Sequence, residues 1–289
     1  MASISDLIVI ATAVVIILFI AGLLCLRLLD YRADKQLIRK LIAQHPPHPG
    51  HFHPVMLQDL PEAAKRFFQF SIAPGTPLYT VANIAMTGQF SLGNSKRPDY
   101  LNMKAMQTLA FPGGFVWQMQ ARRQLLRISG SDSASWTRFW LQELLPVARA
   151  GASLDHRRSA FGRYVAEAVF WTPAAVLPGP GVKWSHLNEH SARLTVTHLG
   201  LEQVVDLTVA DNGQPLHVSF MRWSNANPQH RYILQPFGGY LSNFREFGGF
   251  RLPAHVEAGN HFGTDDYFAF FIADINSISW PQQSNSPAG

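Results

Sequence analysis

The chain has 289 residues, of which 47% are hydrophobic, 12% aromatic and 15% charged, and its formal net charge at pH 7 is +5. An intrinsically disordered chain has few aromatic residues and many charges, so that class is excluded. A disulfide scaffold is excluded too, because the single cysteine cannot pair within the chain.

The first predicted element is a membrane span close to the N-terminus. Residues 7–26 carry no charge, and Leu28 and Leu29 extend the apolar run past Arg27. A helix of about 20 apolar residues crosses a hydrocarbon layer of about 30 Å. The sequence therefore predicts a transmembrane helix over residues 7–29, after an N-terminal flank of residues 1–6, with the lipid bilayer as its partner.

A cleavable signal peptide is the alternative interpretation of this run. Such a peptide has basic residues in front, an apolar stretch of roughly 7–15 residues and a small-residue cleavage site. Here residues 1–6 contain no Lys or Arg, the apolar run is longer, and Leu-Arg-Leu-Leu follows it. We therefore predict an uncleaved anchor and a single-pass protein of the cell membrane.

The charges beside the span predict its orientation. No basic residue precedes it, whereas several follow closely: Arg27, Arg32, Lys35, Arg39 and Lys40. The positive-inside rule then places the C-terminal domain in the cytoplasm. Residues 30–53 are predicted to form a basic juxtamembrane helix and then a linker rich in His and Pro.

The linker contains four histidines that are weak candidates for metal ligands: His45, His48, His51 and His53. Neutral imidazole is a common metal ligand. No carboxylate or thiolate accompanies these histidines, and an extended proline-rich spacer does not hold a tetrahedral geometry. We therefore predict a polar linker and no metal.

Residues 54–280 are predicted to form a single α+β domain that begins with a helix over residues 60–70 and strands over 78–92, 100–111 and 115–128. Two helices follow. The first would be capped by Ser131-Asp132-Ser133 and has its apolar residues at helical spacing: Trp136, Phe139, Trp140 and Leu144. The second would run from residue 154 to about residue 170.

The remainder of the domain is predicted to be strand after strand. The expected strands cover residues 182–187, 192–198, 202–210, 216–223, 230–234, 240–247, 251–258 and 267–275. Asn212-Gly213 indicates a tight hairpin, because both residues tolerate a positive φ. In all, about ten strands are expected, and the polar tail over residues 281–289 is predicted to be disordered.

Familiar catalytic and cofactor motifs are missing from the sequence. It contains no phosphate-binding loop, no G-x-G-x-x-G after a strand, no H-E-x-x-H and no G-x-S-x-G. The only cysteine, Cys25, lies in the span, so no cysteine nucleophile is available. Basic residues are too scattered for a nucleic-acid surface. We therefore predict no cofactor and no nucleic-acid partner.

Several segments together resemble a family of uncharacterised bacterial proteins. The most specific is R-Y-x-A-E-A at residues 163–168, and the others are Val182-Lys183-Trp184, Arg222-Trp223, Pro-Phe-Gly-Gly-Tyr at 236–240 and Phe-Arg-Glu-Phe-Gly-Gly at 244–249. Over residues 67–280 the chain resembles this membrane-anchored domain of unknown function. The resemblance implies no activity, cofactor or catalytic residue.

Glu167 is the residue whose environment invites explanation. It lies one helical turn after Arg163 in an otherwise apolar stretch, and a buried carboxylate must be paired or protonated. It could pair with Arg163, Arg222 or Arg245 and hold the helix on the sheet. It could instead bind a ligand's polar head together with an arginine, or act as a catalytic acid or base.

Five aromatic residues are candidates for the lining of an apolar groove, with core packing as the alternative for each: Tyr164, Trp171, Trp184, Trp223 and Tyr240. We expect an α+β fold in which a curved, half-barrel-like antiparallel sheet of about ten strands wraps around two or three helices, preceded by one transmembrane helix. The function expected first is binding of an apolar or amphipathic ligand such as a lipid. The alternatives are an enzyme that uses Glu167 on a membrane-derived substrate, and a scaffold for a membrane protein partner.

Overall fold

A computed structural model describes residues 3–281, and it contains three α-helices and two short 3-10 helices. Their bounds are α1 Ile4–Ile42, α2 Glu62–Ser71 and α3 Leu154–Trp171, with the 3-10 helices at Pro54–Leu57 and Pro173–Val176. The predicted tail lies outside the described residues except for Pro281. Helix α1 is long and apolar enough to cross a membrane.

The strands form one antiparallel sheet made of two meanders. The strands are β1 Val81–Ser91, β2 Tyr100–Ala110, β3 Gly114–Arg123, β4 Leu126–Ser133, β5 Trp136–Leu141, β6 Leu145–Gly151, β7 Val182–Asn188, β8 Ser191–His198, β9 Leu201–Val209, β10 Pro215–Ser224, β11 Ile233–Phe247, β12 Phe250–Asn260 and β13 Phe268–Ser279. The spatial order is β6-β5-β4-β3-β2-β1-β13-β12-β11-β10-β9-β8-β7. Pairing of β1 with β13 joins the two meanders, and β6 and β7 are the two edges.

The sheet curves around α3. This helix touches β3 and β6 in the first meander and also β9, β10 and β12 in the second. One helix can reach strands so far apart in the sheet only if the sheet bends around it. The predicted α+β class, with a curved antiparallel sheet and a preceding apolar helix, is confirmed.

The period of two along the strands sorts side chains between two layers. Phe115, Trp117 and Met119 of β3 belong to the main core around α3. Their neighbours face the other side, where Val116 packs with Leu41 of α1. The first meander is therefore covered on both faces, by α3 on the inner face and by α1 on the outer one.

The second half of α1 is bound to the outer face through polar contacts. Asp30 accepts hydrogen bonds from Arg149 (2.7 and 2.9 Å) and from the Trp140 indole (3.0 Å), and it forms an ion pair with Arg138 at 3.1 Å. Asp34 accepts a hydrogen bond from Ser131 Oγ at 2.8 Å. The apolar part of α1, residues 7–29, thus continues into a segment that is bound to the domain.

The helix predicted after Ser131-Asp132-Ser133 is wrong. Those residues end β4, and β5 and β6 follow. The Ser133 hydroxyl accepts hydrogen bonds from the backbone N–H groups of Ser135 and Trp136, which makes a tight turn between strands. The apolar residues expected on one helix face lie on both faces of β5: Phe139 packs against the inner core, whereas Trp140 reaches Asp30 outside.

Residues 3–281 contain thirteen strands rather than about ten. The segment expected over residues 115–128 contains a turn at Gln124, where φ is +49°, and therefore covers β3 and the beginning of β4. Residues 233–234 and the predicted segment 240–247 belong to one long strand, β11, whereas residues 230–232 lie outside any strand. The predicted helix over residues 154–170 and the Asn212-Gly213 hairpin between β9 and β10 are confirmed.

Candidate functional site

A cavity of about 250 Å³ lies between α3 and the inner face of the sheet. Strands from both meanders contribute to its wall, because the curved sheet brings β3 and β5 of the first meander opposite β10 and β11 of the second, while β1 and β13 pair where the two meanders join. Nine aromatic side chains line it: Phe90, Trp117, Phe139, Phe170, Trp171, Phe220, Phe237, Phe270 and Phe271. Ligand sites are typically concave and apolar with a few placed polar groups, which is the composition of this cavity.

The first polar group in the cavity is a hydrogen-bonded network around Arg163. Its guanidinium donates to Glu167 Oε1 and to Asp132 Oδ2, both at 2.7 Å, and to Gln107 Oε1 at 3.2 Å. Gln107 in turn donates to Glu167 Oε2 at 2.7 Å. Both oxygens of Glu167 are therefore engaged, and the network links α3 to β2 and β4.

The environment of Arg163 keeps it charged. Burial disfavours the guanidinium charge, but the carboxylates of Glu167 and Asp132 outweigh this effect and raise the pKa of Arg163. The planar group also lies over the rings of Phe115 (4.5 Å) and Trp117 (5.2 Å). Cation–π contacts and ion pairs together stabilise this buried charge.

A second guanidinium, that of Arg222 on β10, lines the same cavity in a different state. It forms no hydrogen bond or ion pair with any residue from 3 to 281, and its Nε atom is buried without a partner. Its guanidinium lies over the ring of Phe237, 4.8 Å from the ring centroid. Burial, together with the nearby charge of Arg163, lowers the pKa of Arg222 to about 10. It remains cationic at neutral pH.

Two indoles of the lining also lack acceptors. The Nε1 atoms of Trp117 and Trp171 are buried without a hydrogen-bond partner among the described residues. Buried donors in folded proteins are nearly always satisfied, so an unsatisfied one calls for an explanation. The cavity therefore combines an apolar wall with hydrogen-bond donors and few free acceptors.

A family model matches residues 50–272, more than half of the chain, and its description is a family of unknown function, DUF6544. The chain belongs to this family. The prediction of an uncharacterised family is confirmed at that level, and the R-Y-x-A-E-A segment lies within the matched residues. No curated protein matches the sequence of this DUF6544 chain.

Solved structures with a similar arrangement come from three bacteria. A LolA superfamily protein from Nitrosomonas europaea has 12% identity and a TM-score of 0.36, and the likeness covers 79% of this chain and 93% of that one. A DUF1329 family protein from Desulfovibrio piger has 11% identity and a TM-score of 0.38, covering 76% and 90%. A putative outer membrane lipoprotein-sorting protein domain from Vibrio parahaemolyticus has 12% identity and a TM-score of 0.34, covering 80% and 92%. Likeness at this level carries no information on what the DUF6544 chain binds.

The structure brings four of the predicted site residues to the cavity: Arg163, Glu167, Trp171 and Arg222. The other five lie elsewhere. Tyr164 donates to the Pro112 carbonyl oxygen at 3.2 Å, and burial strongly raises the pKa of its phenol. Trp184 donates to the Val176 carbonyl oxygen at 2.8 Å and packs on α2.

The remaining three residues serve other contacts in the DUF6544 domain. The Trp223 indole donates to Asp155 at 2.8 Å and holds the beginning of α3. Tyr240 is half exposed and packs with Phe262 on the opposite side of β11. Arg245 donates to the carbonyl oxygen of Ile275.

Sequence reasoning missed Asp132, Gln107 and most of the phenylalanines of the lining. The sequence predicts Asp132 in a helix cap. The alternation between the two sets of residues nevertheless has the period of two that is typical of a strand: Ser129, Ser131 and Ser133 against Ile128, Gly130 and Asp132. That period was the available signal. Nothing local marks Gln107, because its partners lie 56 and 60 residues away along the chain.

The four linker histidines do not come together as ligands. His45 is buried with its ring 5.1 Å from that of Tyr79, and burial lowers its pKa. His51 pairs with Pro77 in a β-bridge. Between residues 3 and 281, no group of three or more His, Cys, Asp or Glu side chains is placed to hold a metal ion.

Proposed function

We propose that this chain is a membrane-anchored binding protein that takes an apolar or amphipathic ligand, such as a single lipid chain, into the cavity between α3 and the sheet. The observation that carries the proposal is the cavity itself: about 250 Å³, walled by nine aromatic rings, with guanidinium groups at its polar side. A solid core would have filled this space, since protein interiors are close-packed.

The continuity of α1 with the domain supports a protein that stays anchored in the membrane. Helix α1 runs without interruption from Ile4 to Ile42, and its second half is bound to the sheet through Asp30 and Asp34. The helix thus ties residues 7–29 rigidly to the domain rather than through a loose spacer. In this proposal it stays uncleaved, with the domain on the cytoplasmic side as the basic flank predicts.

The path of α1 along the outer face supports access from the bilayer. Leu41 packs against Val81 at the beginning of β1. Arg27 donates to Ser129 Oγ at 2.7 Å, and the strand register puts Ser129 at the level of Thr87, six residues further along β1. The membrane-spanning residues therefore continue past the far end of β1.

Two phenylalanines of the cavity wall lie at that same end. Phe90 and Phe271 face each other across β1 and β13 close to where β1 ends, and both line the cavity. The anchor consequently places this end of the domain nearest the bilayer surface. A ligand that leaves the membrane would have a short path to the cavity.

The test is ligand binding by the full chain purified in a non-ionic detergent. Native mass spectrometry should show a co-purifying amphiphile or uptake of an added fatty acid. The variant Ala258→Phe places a ring in the cavity wall and should reduce binding at least about tenfold, whereas Ala150→Phe on exposed edge strand β6 should not. Absence of any amphiphile from the wild-type protein, before and after addition, would contradict the proposal and favour a scaffold for a membrane protein partner.

The engagement of Glu167 bears on the enzyme alternative. An acid or base must exchange a proton with a substrate, but both carboxylate oxygens already accept hydrogen bonds from Arg163 and Gln107. This geometry supports a structural role for Glu167 within the binding protein.

A further inference from the structure

We propose that Arg222 is the head-group residue of the cavity and that it selects single-chain amphiphiles with an anionic head, either a carboxylate or a phosphate. This inference rests on the proposed function and names the ligand class of the same site. It depends on the contrast between two arginines that share one cavity.

Arg163 already has all its charged partners. The two carboxylates of the cavity, Asp132 and Glu167, are each 2.7 Å from its guanidinium. They balance the charges of the cluster as a whole, but they accept their hydrogen bonds from Arg163, Gln107 and Thr137. Neither lies within ion-pair distance of Arg222.

Arg222 therefore presents an unpaired guanidinium in a largely apolar space. Its side chain is half-buried, and its Nε donor is buried without a partner. A buried donor without a hydrogen bond is costly, and folded proteins usually avoid it by pairing. A guanidinium offers several N–H donors in a planar fork that matches a carboxylate or phosphate in two parallel bonds. An anionic head group that enters the cavity would supply hydrogen-bond acceptors, which no described residue provides to Arg222.

The size of the cavity limits the tail. Pockets for drug-sized ligands occupy about 300–1,000 Å³, and this cavity of about 250 Å³ lies just below that range. A two-chain phospholipid does not fit within it, whereas one alkyl chain of moderate length can pack against the rings. The head would lie at Arg222 and the chain against Phe90, Phe139 and Phe271.

The experiment compares ligands that share one twelve-carbon chain and differ only in the head: dodecanoate, dodecyl phosphate, dodecanol and dodecyltrimethylammonium. Each competes with a fluorescent fatty acid for the full chain in amphipol, and empty amphipol provides the background. We expect the two anions to bind at least about tenfold more tightly than dodecanol, and the cation to bind most weakly. The ratio between the two anions identifies which head is preferred.

The variant Arg222→Met should lose the preference for the two anions over dodecanol. Arg157→Met, on the exposed side of α3, is the matched control and should keep the preference. Removal of an unpaired charge should not lower Tm. If it does, Arg222→Gln, which keeps a hydrogen-bond donor without the charge on a shorter side chain, carries the same expectation for binding.

The outcomes separate the two proposals. Equal binding of dodecanol and dodecanoate, unchanged in Arg222→Met, would overturn the role of Arg222 and leave the binding function intact. Failure of all four compounds to bind the wild type would overturn the binding function itself.

Discussion

Arg163 and Arg222 have opposite hydrogen-bonding states within one cavity. Arg163 donates hydrogen bonds to two carboxylates and a glutamine, whereas Arg222 donates none to any described residue. The difference follows from position: Arg163 lies one helical turn before Glu167, and β4 brings Asp132 to its other side. Arg222 is on β10, across the cavity, and forms neither a hydrogen bond nor an ion pair with either carboxylate.

Glu167→Gln should destabilise the fold. The substitution removes the charge that Arg163 faces at 2.7 Å and replaces an acceptor toward Gln107 with an amide. We expect a loss of about 2 kcal/mol in the free energy of unfolding, a Tm decrease of about 4–8 °C. Thermal unfolding of the full chain in detergent measures it.

The control for this variant is Glu202→Gln, which changes an exposed carboxylate and should leave Tm nearly unchanged. An unchanged Tm in Glu167→Gln with a loss of ligand binding would instead assign Glu167 to the ligand's polar head.

At the scale of elements, α2 and the β9–β10 hairpin are in direct contact. Gly213 of the hairpin has a φ of +85°, and a Cβ atom there would overlap the carbonyl group of Arg66 in α2. The glycine is thus required twice, by the turn and by the close approach of the helix.

Gly213→Ala should therefore cost more than a positive φ alone. We expect a loss of about 3 kcal/mol, against about 1 kcal/mol for Gly200→Ala, which also has a positive φ (+76°) but has open space around the new methyl group. Thermal unfolding of both variants under one condition decides. Equal losses would show that the contact with α2 does not constrain the hairpin.

The prediction of α3 is confirmed where the helix cap and the spacing of the apolar residues indicate the same element. Helix α3 begins after Ser153, whose side chain accepts from the His156 N–H at 3.0 Å, and its apolar residues are buried over the predicted range. The aromatic residues of β5 are also spaced as they would be on one face of a helix. It became a strand because Phe139 and Trp140 had separate partners, the inner core and α1, on opposite sides of the sheet.

At the scale of the whole molecule, helix α1, the sheet and the cavity form one unit. Helix α1 covers the outer face of the first meander, and the inner face of the same strands walls the cavity. The cytoplasmic placement of the domain is a prediction, and it rests on the basic residues that follow the apolar run.

A reporter fused after residue 289 tests the orientation. A fluorescent protein that folds only in the cytoplasm should be bright, and a phosphatase that folds only outside it should be inactive. Ala2→Lys and Ser5→Lys combined with Lys35→Gln and Lys40→Gln should shift the balance toward the phosphatase. Phosphatase activity in the unaltered fusion would contradict the cytoplasmic placement.

The sequence by itself determined features that depend on neighbours along the chain: an apolar run long enough to span a bilayer, the helix α3, the Asn212-Gly213 turn and membership of the family. Each results from local backbone preference or from composition within one segment. The tertiary structure alone decided which rings face the cavity, that Asp132 and Gln107 complete the network of Arg163, and that Arg222 has no hydrogen-bond partner among residues 3–281. Those outcomes depend on residues far apart in the chain, such as Gln107 and Glu167 or the paired Phe90 and Phe271, which meet only when the curved sheet closes around α3.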